Sequence, residues 1–225
     1  MGLNCSCPVG THLPNLVIPD CKESMGQIQK VIFQRLGTSV AAAGFTDSAT
    51  MDGYLSADDD EKMLISPYIQ NPATEPGAAR TFGGGNQTIN GVEIVIGREA
   101  TAFTGVIYQE AQSVIKTLKQ LECEPNLGVY LIDEYGNIGG YFAKTGTGST
   151  ATLAASPIPI SNLFVGDKNL GGLEEPDANN IQWNFLPNWS DDLVILKKAG
   201  GTLDGITYDA FDYNPLTDLV NQASA

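Results

Sequence analysis

Between positions 180 and 186 apolar and polar residues alternate, with Ile181, Trp183 and Phe185 on one side and Gln182 and Asn184 on the other. A period of two marks a strand with one buried face. Residues 26–36 alternate less regularly but are rich in β-branched and aromatic side chains, and they predict the first strand. The apolar runs 128–132 and 138–142 flank Asp133-Glu134-Tyr135-Gly136-Asn137, a spacing that fits a hairpin. Further strands are predicted at 158–164 and 193–197, and 88–96 reads as a bent strand kinked at Gly91. One helical pattern stands against these. Over 104–122, Ile107, Ala111, Val114, Ile115, Leu118 and Leu121 recur at spacings of three and four, with Thr104 as N-cap and Pro125 as the stop.

Residues 37–90 show little periodicity, and they hold the acidic run Asp58-Asp59-Asp60-Glu61 and the triple glycine 83–85. A segment of that length is a functional or mobile loop rather than an ordinary connection. Its apolar residues Met51, Tyr54, Leu55, Met63, Leu64, Ile65, Tyr68 and Ile69 are expected to anchor neighbouring subunits, which makes 50–75 the predicted assembly element. The stretch 205–220, with Tyr208, Phe211 and Tyr213 among aspartates, is either an edge strand or a docking tail. No repeat of 20 to 50 residues is present, which excludes solenoids and propellers. The predicted fold is mainly β (α+β): a β-sandwich or barrel-like sheet with one long covering helix at about 104–122 and long loops. Residues 1–25 form an extended arm carrying Cys and Pro, and 26–225 a single β-rich domain with its long loop at about 37–85.

Composition narrows the function. A hydrophobic content of 42% supplies a core, while 25 glycines and 12 prolines in 225 residues favour turns over long helices. The formal net charge of −14 repels a phosphate backbone, so sequence-specific nucleic-acid binding is not expected. Positions 166–225 hold ten acidic residues against three lysines, which spreads the charge over a surface rather than focusing it on one ligand. No run of 18 apolar residues predicts a membrane span. Gly2 with Cys5 and Ser6 fits an acylation pattern, but no polybasic patch assists it, and no secretory leader is visible, so membrane attachment is not expected and synthesis is expected to end in the cytoplasm.

Candidate chemistry is sparse. Cys5, Cys7, His12 and Cys21 are four soft ligands, enough in number for a Cys₃His zinc site. Only one residue separates Cys5 from Cys7, and Cys21 is not part of a second pair. The reading taken is an extended arm of reduced thiols held open by Pro8, Pro14 and Pro19, with zinc and a disulfide as alternatives. Cys123 is expected to be a buried thiol at the end of the helix. His12 is the single histidine, and no Gly-x-Ser-x-Gly elbow occurs. The triple glycine leads to Asn86-Gln87-Thr88 without the lysine of a phosphate loop. Adjacent carboxylates at 58–61 diverge where a calcium loop must converge. The glycosylation patterns at Asn86 and Asn188 match by chance, and Trp183 and Trp189, which could stack on a sugar, are weighed against a core role that Trp183 fits better. No catalytic, cofactor-binding or metal residue is assigned, and the chain is not expected to be an enzyme.

The Cys- and Pro-containing arm, the strand at 27–36, the helix at 104–122 and the hairpin around Asp133-Glu134-Tyr135-Gly136-Asn137 together resemble virion structural proteins of tailed phages of the Bacteroidetes type. The order of elements is similar to that of phage tail tube proteins. The resemblance spans most of the chain, and its motifs are soft. It implies hexameric, stacked rings whose inner strands close into a continuous barrel, with the helix outside and loops and arms binding the next ring. It implies an acidic lumen through which DNA passes, partners limited to further copies and other virion proteins, and a place in the virion after assembly in the host cytoplasm. The alternatives are another phage head, neck or capsid-associated structural protein, and a non-viral ligand-binding β-sandwich, carbohydrate-binding modules included.

Overall fold

The computed structural model describes residues 24–83, 92–148, 151–173 and 175–221. Strand β1 (Ile28–Arg35) is followed by the short β2 (Val40–Ala41), a 3-10 turn (Ala42–Thr46), helix α1 (Ser48–Ser56) and β3 (Met63–Ile65). Strands β4 (Gln70–Glu75) and β5 (Ala79–Gly83) run outward, and β6 (Glu93–Arg98) and β7 (Thr101–Tyr108) return. Helix α2 (Gln112–Gln120) hands over to the hairpin of β8 (Leu127–Asp133) and β9 (Ile138–Thr145). Strands β10 (Thr152–Ser156), β11 (Ile158–Val165), β12 (Ala178–Phe185) and β13 (Val194–Leu196) follow, then a small hairpin of β14 (Gly201–Leu203) and β15 (Ile206–Tyr208). The protein is mainly β, with 45% in strands against 14% helical.

One antiparallel sheet of eleven strands organises the molecule, in the order β2-β10-β9-β8-β11-β12-β7-β4, with β1 joining β8 to β3 and β13 joining β9. It curls into a half-barrel. The segment leaving β3 hydrogen-bonds back to β1, Ser66 N–H to the Val31 carbonyl at 2.8 Å and Ile69 N–H to the Gln29 carbonyl at 2.7 Å, before it becomes β4. Strands β1 and β8 therefore serve two cores, one on each face. All seven residues of β8 are buried, as a strand covered on both sides requires. Val31, Phe33, Leu127, Val129 and Leu131 point into the half-barrel with Phe103, Ile181, Trp183 and Phe185. Ile32, Tyr130 and Ile132 point the other way, against Phe45, Met51 and Leu55 and the C-terminal Phe211, Tyr213, Leu216 and Leu219.

The predicted strands at 26–36, 128–132, 138–142, 158–164, 180–186 and 193–197 all appear, and the stretch 205–220 is a docking tail whose Tyr213 hydroxyl donates to the Phe45 carbonyl at 2.9 Å. Three expectations are corrected. The helix at 104–122 is a nine-residue helix at Gln112–Gln120, and Thr104 is an exposed residue in mid-strand, not a cap. In β7 Phe103, Gly105 and Ile107 alternate inward with period two, and Gln109 at φ 52° breaks the chain before Ala111 caps the helix. Cys123 is exposed in the 3-10 turn after α2 rather than buried. The segment 37–85, expected to be irregular, carries α1 and four strands, and Met51, Leu55, Met63, Ile65 and Ile69 are buried in this chain's own core instead of anchoring a neighbour. Among the described residues no helix is long and apolar enough to cross a membrane.

Candidate assembly surface

Strands β5 and β6 form a separate two-stranded sheet, an arm that prolongs β4 and β7 beyond the body. Phe82, Val92, Ile94, Val95 and Ile96 on this arm are 54–66% exposed. The register Phe82↔Ile94 puts Phe82 and Ile94 on one side, and a bulge beside them leaves Ile96 unpaired. A lone hairpin is at best marginally stable in water. An apolar one is a surface awaiting a partner.

The joint between arm and body is built, not slack. Glu99 N–H donates to the Ala78 carbonyl at 2.9 Å, which carries the ladder across the gap between the two sheets. A Cβ on Gly77 would lie 2.1 Å from the Glu99 carbonyl oxygen, so only glycine permits that approach. The Arg98 guanidinium donates to the Asn188 side-chain oxygen at 3.2 Å, and Arg80 lies 3.7 Å from Glu99. The arm therefore extends the plane of the sheet.

Where the arm meets the body, the outer face of β11, β12, β7 and β4 continues it. Register defines its cross-strand rows: Ser161, Asn184, Ala102 and Glu75; then Phe164, Gln182, Thr104 and Ala73; then Asn180, Val106 and Gln70. Glu75 is the single ionisable group in these rows, in a chain of net charge −14. The charges gather at one end of the face, where Lys119 pairs with Asp167 and Lys168 with Asp177. Both pairs hold their aspartates below the usual carboxylate range. The centre of the face is uncharged, and depletion of charge from the centre is one mark of a protein interface.

The positions singled out in the sequence do not converge. Cys5, Cys7, His12 and Cys21 lie outside the described residues, as do Asn86 and most of the triple-glycine segment. Within the acidic run Asp59 accepts from the Glu61 amide at 2.9 Å and Asp60 pairs with Arg35 at 2.8 Å, so the carboxylates turn to different partners. Trp183 is buried in the half-barrel, stacked on Phe103 with ring centroids 4.0 Å apart. Trp189 is half-buried and stacks on Phe185 at 4.2 Å, so neither tryptophan offers a free platform for a sugar. Asn188 adopts φ 65° in a turn and serves Arg98.

Two features escaped sequence reasoning. The Asp133 carboxylate, fully buried, accepts from the backbone amides of Gly26, Tyr135 and Asn137 and from the Asn137 side chain at 2.9–3.2 Å. It orders the β8–β9 turn beside a cavity of about 930 Å³ lined by Tyr135, Lys198 and Phe211. Lys30, also buried, places its ammonium 4.5 Å from the Tyr68 ring centre, and burial pushes its pKa down. Comparison with family models, characterised proteins and solved structures returns no match.

Proposed function

We propose that this chain is a self-assembling structural subunit of a virion, of the tail tube kind, whose copies join into stacked rings. The apolar arm of β5 and β6 carries the reading: five large hydrophobic side chains stand in water on a two-stranded sheet that is tied rigidly to the body. Such an arm needs a partner to bury it, and a self-assembling subunit finds one in the next copy. The charge supports the same reading, because a lumen coated by copies of a −14 chain would repel passing DNA rather than hold it.

Electron microscopy and light scattering on the purified chain test it. Rings or tubes are expected, and Phe82→Ser, Ile94→Ser and Ile96→Ser together should leave a folded monomer. Wild-type protein that stays monomeric up to about millimolar concentration, where even weak associations with a Kd in that range are populated, overturns the reading.

A further inference from the structure

We infer that the outer face of β11, β12, β7 and β4 is the seat on which the arm of a second copy lies, so that subunits join head to tail. The inference rests on the self-assembly reading and assigns its two halves. Two copies of net charge −14 repel wherever carboxylates face each other, and this four-strand face offers a single one, Glu75. The arm is the complementary piece. Over 79–83 and 92–98 it carries Arg80, Arg98 and Glu93, with Arg80 paired to Glu99 at its root, so it is apolar and nearly neutral in an acidic chain.

The arm cannot reach the seat of its own copy. The Glu99-to-Ala78 hydrogen bond holds it in line with β4 and β7, and folding it back would break the ladder at Gly77. The occupant is therefore a second copy. Chemistry on the seat matches it. Phe164, half exposed, gives an apolar anchor for Phe82, Ile94 and Ile96. Asn180, Gln182 and Asn184 recur every second residue, about 6.7 Å apart, the repeat at which an edge strand shows its free N–H and C=O groups. Four strands of about eight residues make a face of order 500 Å². An arm–seat contact that covers this face would bury of order 1,000 Å² over the two partners together, the threshold of a specific interface. An arm on one copy meeting a seat on the next is a heterologous contact, which propagates into a ring or a filament instead of stopping at a dimer.

The test uses the full chain. Gln182→Glu places a charge at the centre of the seat, on an exposed position, and Phe164→Glu is a second, independent variant. Each should keep the wild-type melting curve and raise the concentration for half-assembly by roughly a hundredfold or more, since each buries an unpaired charge under the apolar side chains of the arm. Thr202→Glu, on the β14–β15 hairpin, should assemble as wild type. Mixing then separates head-to-tail from face-to-face packing: the seat variant and the arm variant Phe82→Ser/Ile94→Ser/Ile96→Ser are each monomeric alone, and together they should give a one-to-one dimer and nothing larger. Seat variants that assemble like wild type, or a mixture that stays monomeric, overturn the inference while self-assembly stands. A monomeric wild type overturns both.

Discussion

At the residue scale, the half-barrel core leaves one loose end. Trp183 Nε1 is the one buried side-chain polar atom without a hydrogen-bond partner among the described residues. A buried N–H without an acceptor forfeits the bond it had in water. Trp183→Phe keeps the stack on Phe103 and removes the orphan, so it should cost about 1–2 kcal/mol in a urea titration, against about 3–5 for Trp183→Ala. Tyr130 is the better satisfied counterpart, donating to Gln34 Oε1 at 3.0 Å in the opposite core. Burial pushes its phenol well above its ordinary pKa, and Tyr213 likewise. The neutral forms are therefore favoured by the fold. That stability is fully present below about pH 10, the unfolded value, and is lost as pH rises from there toward the folded value. Tyr130→Phe should be destabilised by about 1–2 kcal/mol at pH 7, because Gln34 loses its donor, and the gap to wild type should close above pH 10. A gap constant with pH would mean that the phenol is not what titrates. The alternation that placed Trp183 inside was plain in the sequence, whereas a missing acceptor is a property of the packed neighbours and leaves no mark on the chain.

Among the elements, α2 and the arm show why some of the pattern misleads. The stretch 104–122 reads as helical because Ile107 lies four residues before Ala111, yet 104–108 pair residue for residue with β12. Gly105 settles the matter in space: a Cβ there would meet Ile69 Cγ2 at 2.3 Å, a constraint set by the segment between β3 and β4, distant in sequence. Leu118 is fully buried under α2, and Leu118→Asp should cost several kcal/mol in chemical denaturation. The apolar run at 94–96 was legible as a strand, but such runs ordinarily signal burial, and nothing in the letters says that this one lies in water. Closing the chain with an Asn-Gly turn between Ala78 and Glu99, which already form a bonded pair, should remove the arm, shift Tm by no more than about 3 °C and abolish assembly. Gly77→Val should act more subtly. The body melts as wild type, while the amides of 79–83 and 93–98 lose hydrogen-exchange protection as the joint opens.

For the whole molecule, charge and architecture make opposite demands. A net charge of −14 pushes copies apart, so assembly through a neutral face should strengthen as salt shortens the screening length from about 30 Å at 0.01 M to about 8 Å at 0.15 M. Light scattering that shows oligomers dissolving over that range would point to ion pairs as the glue instead. The balance of acids was readable from composition, but their near-absence from the central rows of one face required the register of four strands. The last piece of that architecture is Asn221, whose side-chain amide grips Ile65 on both sides, accepting its N–H at 2.8 Å and donating to its carbonyl at 2.7 Å. A single side chain thus stands in for a missing neighbour strand at the open edge of β3. During synthesis that edge stays bare until residue 221 has left the ribosome, together with Phe211, Tyr213, Leu216 and Leu219, which close the core over α1. At the pace of translation, about 5–20 residues per second, a delay of many seconds separates β3 from its clamp. The nascent chain therefore passes through a sticky, half-covered stage, which ends when residues 211–221 close that edge and the core over α1.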